Sequence, residues 1–176
     1  FLCDAGSPEI YTLSLPVGLP IYILVGAFYA DPGGDGEAGE TYVVFGSGSP
    51  FAASLDLSTL DGSNGFRLDG IDAGDRSGYS VSTAGDVNGD GYADILVGAF
   101  YADPGGDGEA GETHLVFGSG SGFAASLDLP TLHGCNGFRL DGIAASDYSG
   151  YSVSTARDVN RYGYADILVG ASPADP

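Results

Sequence analysis

The 176-residue sequence contains no methionine, no tryptophan and only two cysteines. A pair such as Cys3 and Cys135 does not make a disulfide framework. Cys135 also falls where the preceding copy of a repeat, described below, has Ser63, so it reads as a tolerated substitution. Basic residues are scarce: 5 Lys+Arg stand against 24 Asp+Glu, a net charge of −19. Nucleic-acid affinity rests on neutralising phosphates, which so few bases cannot do, and an anionic membrane surface is disfavoured on the same ground. The longest apolar run, Ile21 to Ala30, is too short to cross a bilayer, so no membrane insertion is expected. The start, "FLCDAGSPE", has neither an initiator Met nor a basic n-region. No signal peptide is visible there, and the chain is expected to be a fragment.

Glycine, by contrast, is abundant at 31 residues, while 43% of the chain is hydrophobic, enough to build a core. Short β-branched and aromatic runs separated by glycine point to an all-β fold with tight turns. The acidic balance suits a cationic partner, of which a metal ion is the smallest.

A 72-residue repeat organises the chain. Residues 23–104 align with 95–176 without a gap, and 14 of the 82 positions differ. Residues 1–22 read as an irregular segment with a degenerate first hairpin. The repeats are then 23–94 and 95–166, and 167–176 opens a further one. Each unit predicts four strands. "GYSVSTA" (78–84) alternates, setting Tyr79, Val81 and Thr83 on one face. "ADILVGA" (93–99) is a continuous apolar run, the mark of a strand covered on both faces. "ETYVVFG" (40–46) and "NGFRLDGI" (64–71) follow. Helical periodicity is weak; "PFAASLDLSTL" (50–60) holds a single turn or a fifth short strand. Tandem four-stranded antiparallel units predict a partial β-propeller of about two and a half blades, with a β-solenoid as the alternative. One blade is complete, at about 79–143. Closing the ring would take the remaining blades of a longer chain, or self-association.

"DVNGDGYAD" (86–94) carries the chemistry. Side chains at positions 1, 3, 5 and 9 of a tight loop, with the backbone carbonyl of position 7, can converge on one cation. Here these are Asp86, Asn88, Asp90, Asp94 and the carbonyl of Tyr92, with Gly91 at position 6 for the turn. All are hard oxygen donors, which favours Ca²⁺. The competing reading is a solvated hairpin with Asx-type hydrogen bonds. The second loop, "DVNRYGYAD", keeps Asp158, Asn160, Asp166 and the carbonyl of Tyr164. It has Tyr162 in place of Asp90 and Arg161 in place of Gly89, so its binding is expected to be weak or lost. Seventy-two residues before the first loop stand Ser14, Pro16, Gly18, Pro20 and Tyr22, with no carboxylate.

"SGYSVSTAGDVNGDGYADILVGAF" (77–100) resembles the FG-GAP repeats of integrin α-chain β-propellers and their bacterial relatives. Ser77 and Ser149 depart from the usual Phe, and Phe28, Phe100 and Ser172 from the usual Pro. The resemblance implies a seven-bladed, calcium-rigidified propeller whose other loops bind partners, and it carries over no catalytic residue. It suggests adhesion, or binding of a protein or glycan, at the cell surface or outside the cell. An accessory region of a secreted hydrolase or toxin, or a truncated product without activity, remain as alternatives.

Elsewhere, Asp31, Asp35 and Glu37 read as an inter-strand loop more readily than as a second cation site. His114 and His133 are poor candidates for a catalytic base. Arg67 and Arg139 are expected to pair with nearby acids on a strand face.

Overall fold

The computed structural model describes residues 22–172, so the readings placed on Cys3, on 14–20 and on 173–176 lie outside the described residues. Ten strands follow in order: β1 (Tyr22–Ala27), β2 (Glu40–Phe45), β3 (Gly65–Asp69), β4 (Ser80–Gly85), β5 (Asp94–Ala99), β6 (Glu112–Val116), β7 (Ser126–Asp128), β8 (Gly137–Asp141), β9 (Ser152–Arg157) and β10 (Asp166–Gly170). They form three sheets: β1-β2-β3-β7, then β4-β5-β6-β8, then β9-β10. All pairings are antiparallel except β3 with β7. The middle sheet is a complete four-stranded blade within the interval expected from the repeat. The chain is an all-β partial propeller.

Two cores lie between the blades, and strand alternation feeds both. β5 is buried at every position, as its unbroken apolar sequence requires. Its Ile95 and Val97 pack with Val43, Phe66 and Leu68 of the first blade, joined by Val116 and Leu129. Leu96 points the other way, into a cluster with Ala84, Leu115 and Phe138 that meets Val153 and Ile167 of the third blade. Full burial of one such side chain is worth about 1.5–3 kcal/mol. Val81 sits against the first of these cores, while Thr83 of the same strand is exposed.

The segment read as a single turn or a short strand, 50–60, holds the turn alone, at Leu57–Thr59, whereas its second copy contains both. Ser126–Asp128 is a strand running parallel to β3, pairing Arg67 with Ser126 and Asp69 with Asp128, and a 3-10 turn at Leu129–Thr131 follows directly. Phe123, just before it, stacks on Phe66 at 4.1 Å between centroids and 7° between planes. The identical residues of the first copy, 54–56, form no strand, although the turn Leu57–Thr59 is kept. The reason is the neighbour. β7 reaches back to the outer strand of the preceding blade, and no such strand stands beside 54–56 among the described residues. Cys135 is a free, exposed thiol.

Candidate calcium loop

The β4–β5 hairpin pairs Ser80 with Gly98 through to Gly85 with Asp94, with a bulge between Thr83 and Gly85. Its loop wraps around Asp86. One carboxylate oxygen of Asp86 accepts the N–H groups of Gly89 (2.7 Å) and Asp90 (3.1 Å), and the other accepts that of Gly91 (2.9 Å). Asn88 accepts the Asp90 N–H at 3.0 Å and donates its amide to the Asp90 carboxylate at 2.8 Å. Asp90 in turn accepts the Tyr92 N–H at 2.8 Å. Asp94, fully buried, closes the base by accepting from Val87 (2.8 Å) and, across the blade, from Gly118 (2.9 Å). Burial raises its pKa above the ordinary carboxylate value. The charges of Asp90 and Asp86 act in the same direction and the two amides oppose.

All five expected donors therefore sit in one loop. The side-chain oxygens of Asp86, Asn88 and Asp90 are turned onto the loop's own amides, those of Asp94 onto Val87 and Gly118, and no three His, Cys, Asp or Glu side chains are gathered to hold a metal among the described residues. This is an Asx-type hydrogen-bonded hairpin. Its donor set is nonetheless oxygen only, and it includes the two exposed, acceptor-rich side chains of Asn88 and Asp90. Those residue types fit a hard cation such as Ca²⁺.

The second loop keeps the outline and loses a partner. Asp158 accepts from Tyr162 (3.1 Å) and Gly163 (2.9 Å), and Asn160 accepts from Tyr162 (2.9 Å). With no acid at 162, the Asn160 amide turns to Asp166 at 3.1 Å, while Val159 donates to the other oxygen at 2.7 Å. The exposed Tyr162 brings no carboxylate to the position that Asp90 fills. Arg161 takes φ 65° and Arg157 φ 58°, where the first hairpin has Gly89 and Gly85 at 78°. The Tyr164 ring lies against Gly89, so the two loops touch.

Away from the loops, both arginines pair with acids as expected. Arg67 bonds Asp69 and approaches Glu40 at 3.5 Å; Arg139 meets Glu112 at 3.0 Å and Asp141 at 2.6 Å. One feature here escapes sequence reasoning. His114 is 1% exposed, with neither ring nitrogen hydrogen-bonded, and its Nε2 lies 3.5 Å from Glu112. In the first blade Tyr42 fills that position and donates its hydroxyl to Glu40. Burial pushes Glu112 up to about 7 and His114 down to about 4. The available signal was Glu112 and His114 at alternate positions of one strand, with Arg139 paired opposite His114. His133 is exposed, and its backbone N–H donates to Asn136. The glycine-rich acidic loops brace themselves. Asp31 accepts the Glu37 N–H at 2.7 Å and Asp103 that of Glu109 at 2.6 Å, while Arg76 holds Glu37 and Tyr148 holds Glu109.

Blades of this topology, with Asp/Asn loops closing the β4–β5 and β9–β10 hairpins, define a propeller-repeat protein. Residues 77–116, from just before β4 to the end of β6, match the FG-GAP repeat. The chain carries an FG-GAP repeat of the integrin-α-like kind. It is 38% identical over 104 residues to integrin alpha pat-2 of Caenorhabditis elegans, covering 58% of this chain and 8% of that protein. Against mouse integrin alpha-IIb it is 33% identical over 158 residues, covering 85% and 13%. Integrin alpha-PS2 of Drosophila melanogaster is 29% identical over 157 residues, covering 87% and 10%. The chain thus spans about a tenth of the length of these relatives.

Proposed function

We propose that this chain is a non-enzymatic, calcium-stabilised propeller module that serves adhesion, binding a protein or glycan outside the cell or at its surface. The observation that carries the reading is the comb of oxygen donors at Asp86, Asn88, Asp90, Tyr92 and Asp94, closing the hairpin of the one complete blade. Asp94 anchors the comb to the core, and Asp86 organises the turn through three loop amides. A bound divalent ion supplies positive charge where the loop's carboxylates otherwise repel one another, about 1 kcal/mol per pair at 4 Å even in water. Asp158, Asn160, Tyr164 and Asp166 would hold it poorly, because Arg161 adds a positive charge and Tyr162 removes an acid.

Likeness to integrin α chains supports the extracellular setting. Among the described residues no helix is long and apolar enough to cross a membrane. Thermal melting with millimolar Ca²⁺ and with chelator tests the ion. At ten times the dissociation constant, one site adds about 1.4 kcal/mol. Asp90→Tyr, which copies the second loop, should abolish that response. Equal melting temperatures for the parent chain in the two buffers would overturn the reading.

A further inference from the structure

Asparagine stands directly before glycine at Asn64–Gly65, Asn88–Gly89 and Asn136–Gly137, while Asn160 is followed by Arg161. An asparagine before glycine is open to attack by the next backbone nitrogen on its own side-chain carbonyl carbon. Glycine has no Cβ to stand in the way, and its backbone turns freely into reach. The fold treats the three pairs very differently.

Asn64 and Asn136 are pinned. The Asn64 side chain accepts the Asp61 N–H (3.0 Å) and donates to the Thr59 carbonyl (3.1 Å). Asn136 does the same with His133 (3.0 Å) and Thr131 (3.3 Å). Their main-chain carbonyls accept the N–H groups of Phe45 and Phe117. Gly65 and Gly137 open strands β3 and β8, pressed against the carbonyls of Val43 and Leu115. Bringing either side chain onto the next nitrogen would pull apart a turn and a strand start together.

Asn88 has none of these anchors. It is exposed at the hairpin tip, and both its side-chain hydrogen bonds go to Asp90, which is exposed as well. Gly89 donates to the Asp86 carboxylate at 2.7 Å, within the same loop. The group nearest to where a Gly89 side chain would stand is the Tyr164 ring, itself half exposed. Freeing Asn88 therefore takes a local fray of the tip, the least costly opening a fold allows.

We propose that Asn88 is a modification site at which the loop converts itself by deamidation. The Gly89 nitrogen gives up its proton to solvent base and forms a bond to the side-chain carbonyl carbon of Asn88. The bond from that carbon to Nδ2 breaks, and the amide nitrogen takes up a proton and leaves as ammonia. A five-membered cyclic imide remains, which water opens at either carbonyl. One opening gives aspartate; the other gives isoaspartate, whose main chain runs through the former side chain. The sum is asparagine plus water going to an acid plus ammonia, with no change of oxidation state. Both products add a negative charge beside Asp86 and Asp90. The isoaspartyl product also lengthens the backbone ahead of Gly89, Asp90 and Gly91, whose amides hold the Asp86 carboxylate, so the hairpin loosens. Neither product needs a bound ion to form, so the site is independent of calcium.

Incubation of the full chain in mildly alkaline buffer with chelator, followed by peptide mapping and an isoaspartate-specific methyltransferase assay, tests it. Asn88 should convert about tenfold faster than Asn64 or Asn136, the factor that one net hydrogen bond of extra anchoring is worth. Asn160 should also lag behind Asn88, because the Arg161 side chain obstructs the attack. In unfolding urea the three Asn-Gly pairs should converge, since the fold alone ranks them. Asn88→Gln would have to close a larger ring and should block conversion at 88. After equal incubation its melting temperature should hold while that of the parent falls. Equal rates at the three pairs in the folded chain overturn the proposal, as does a ranking that persists unchanged in urea. So does an equal loss of melting temperature in the parent and in Asn88→Gln. The parent alone supplies the first two readouts, so the test stands even where the variant folds poorly. All runs contain chelator, so failure here is distinct from failure of the calcium response.

Discussion

Gly98 of β5 lies beneath the carbonyl oxygen of Gly150, at the entrance to the third blade, so closely that a Cβ on Gly98 would run into that oxygen. Ser80, paired with Gly98 in the hairpin, donates its hydroxyl to the same carbonyl at 2.7 Å. The spacing of the second and third blades is set at this point.

Gly98→Ala should therefore destabilise the chain by about 1–3 kcal/mol, the usual cost of overpacking a tight contact. Gly108→Ala is the control. Nothing stands within 4 Å of its added methyl, and its change should stay within about 0.5 kcal/mol. Urea unfolding of both measures the difference, and equal midpoints would refute the spacing argument.

His114→Tyr restores the residue of the first blade and should let a hydroxyl donate to Glu112, as Tyr42 does to Glu40. A gain of about 1 kcal/mol is expected near neutral pH. The pH dependence has a definite sign. With its folded pKa depressed to about 4, surrounded by Glu112, Arg139 and Asp141, His114 contributes stability above about pH 6.5, the ordinary histidine value. That contribution is lost as pH falls toward 4. Glu112, raised to about 7, and Asp75, raised to about 6 by burial, act in the opposite sense. Their contributions are complete below their unfolded values near 4 and lost as pH rises through 6 to 7. Unfolding curves at pH 4, 5, 6.5 and 8 separate the two. His114→Tyr should shrink the loss between 6.5 and 4, and Glu112→Gln the loss between 5 and 8. A parent-like slope in either variant would refute its assignment.

Arg157 and Arg161 hold left-handed backbone that Gly85 and Gly89 occupy in the first hairpin. For a residue with a Cβ that conformation costs about 1–2 kcal/mol. Arg157→Gly and Arg161→Gly should each stabilise the chain, by somewhat less than this because glycine also loosens the unfolded state. Thermal melts with no added calcium measure it, and a drop in melting temperature for both would contradict the strain.

Much of this was legible in the sequence, for identifiable reasons. The unbroken run at β5 announced burial on both faces, and the positions of Asp86, Asn88, Asp90 and Asp94 announced their shared loop. What the sequence could not carry is the difference between identical residues in different surroundings. Ile23 and Ile95 sit in the same words, yet one is bare and the other covered. Residues 54–56 and 126–128 are the same tripeptide, yet only the second finds a strand to pair with. The burial of His114 was hidden for the same reason: a histidine in a strand reads alike whether its neighbour is water or a leucine. The engagement of the Asp86 carboxylate by three loop amides depends on backbone geometry that residue spacing leaves open.

β7 has a mechanical corollary. Its residues belong in sequence to the connection between β6 and β8, but they are bonded to β3, with Phe123 clasped on Phe66. Tension pulling the first two blades apart along the chain would load these parallel bonds in shear, several at once. Tethered under force, the array should give way first at the third blade, which lacks any such stitch among the described residues, and only later at the sewn pair.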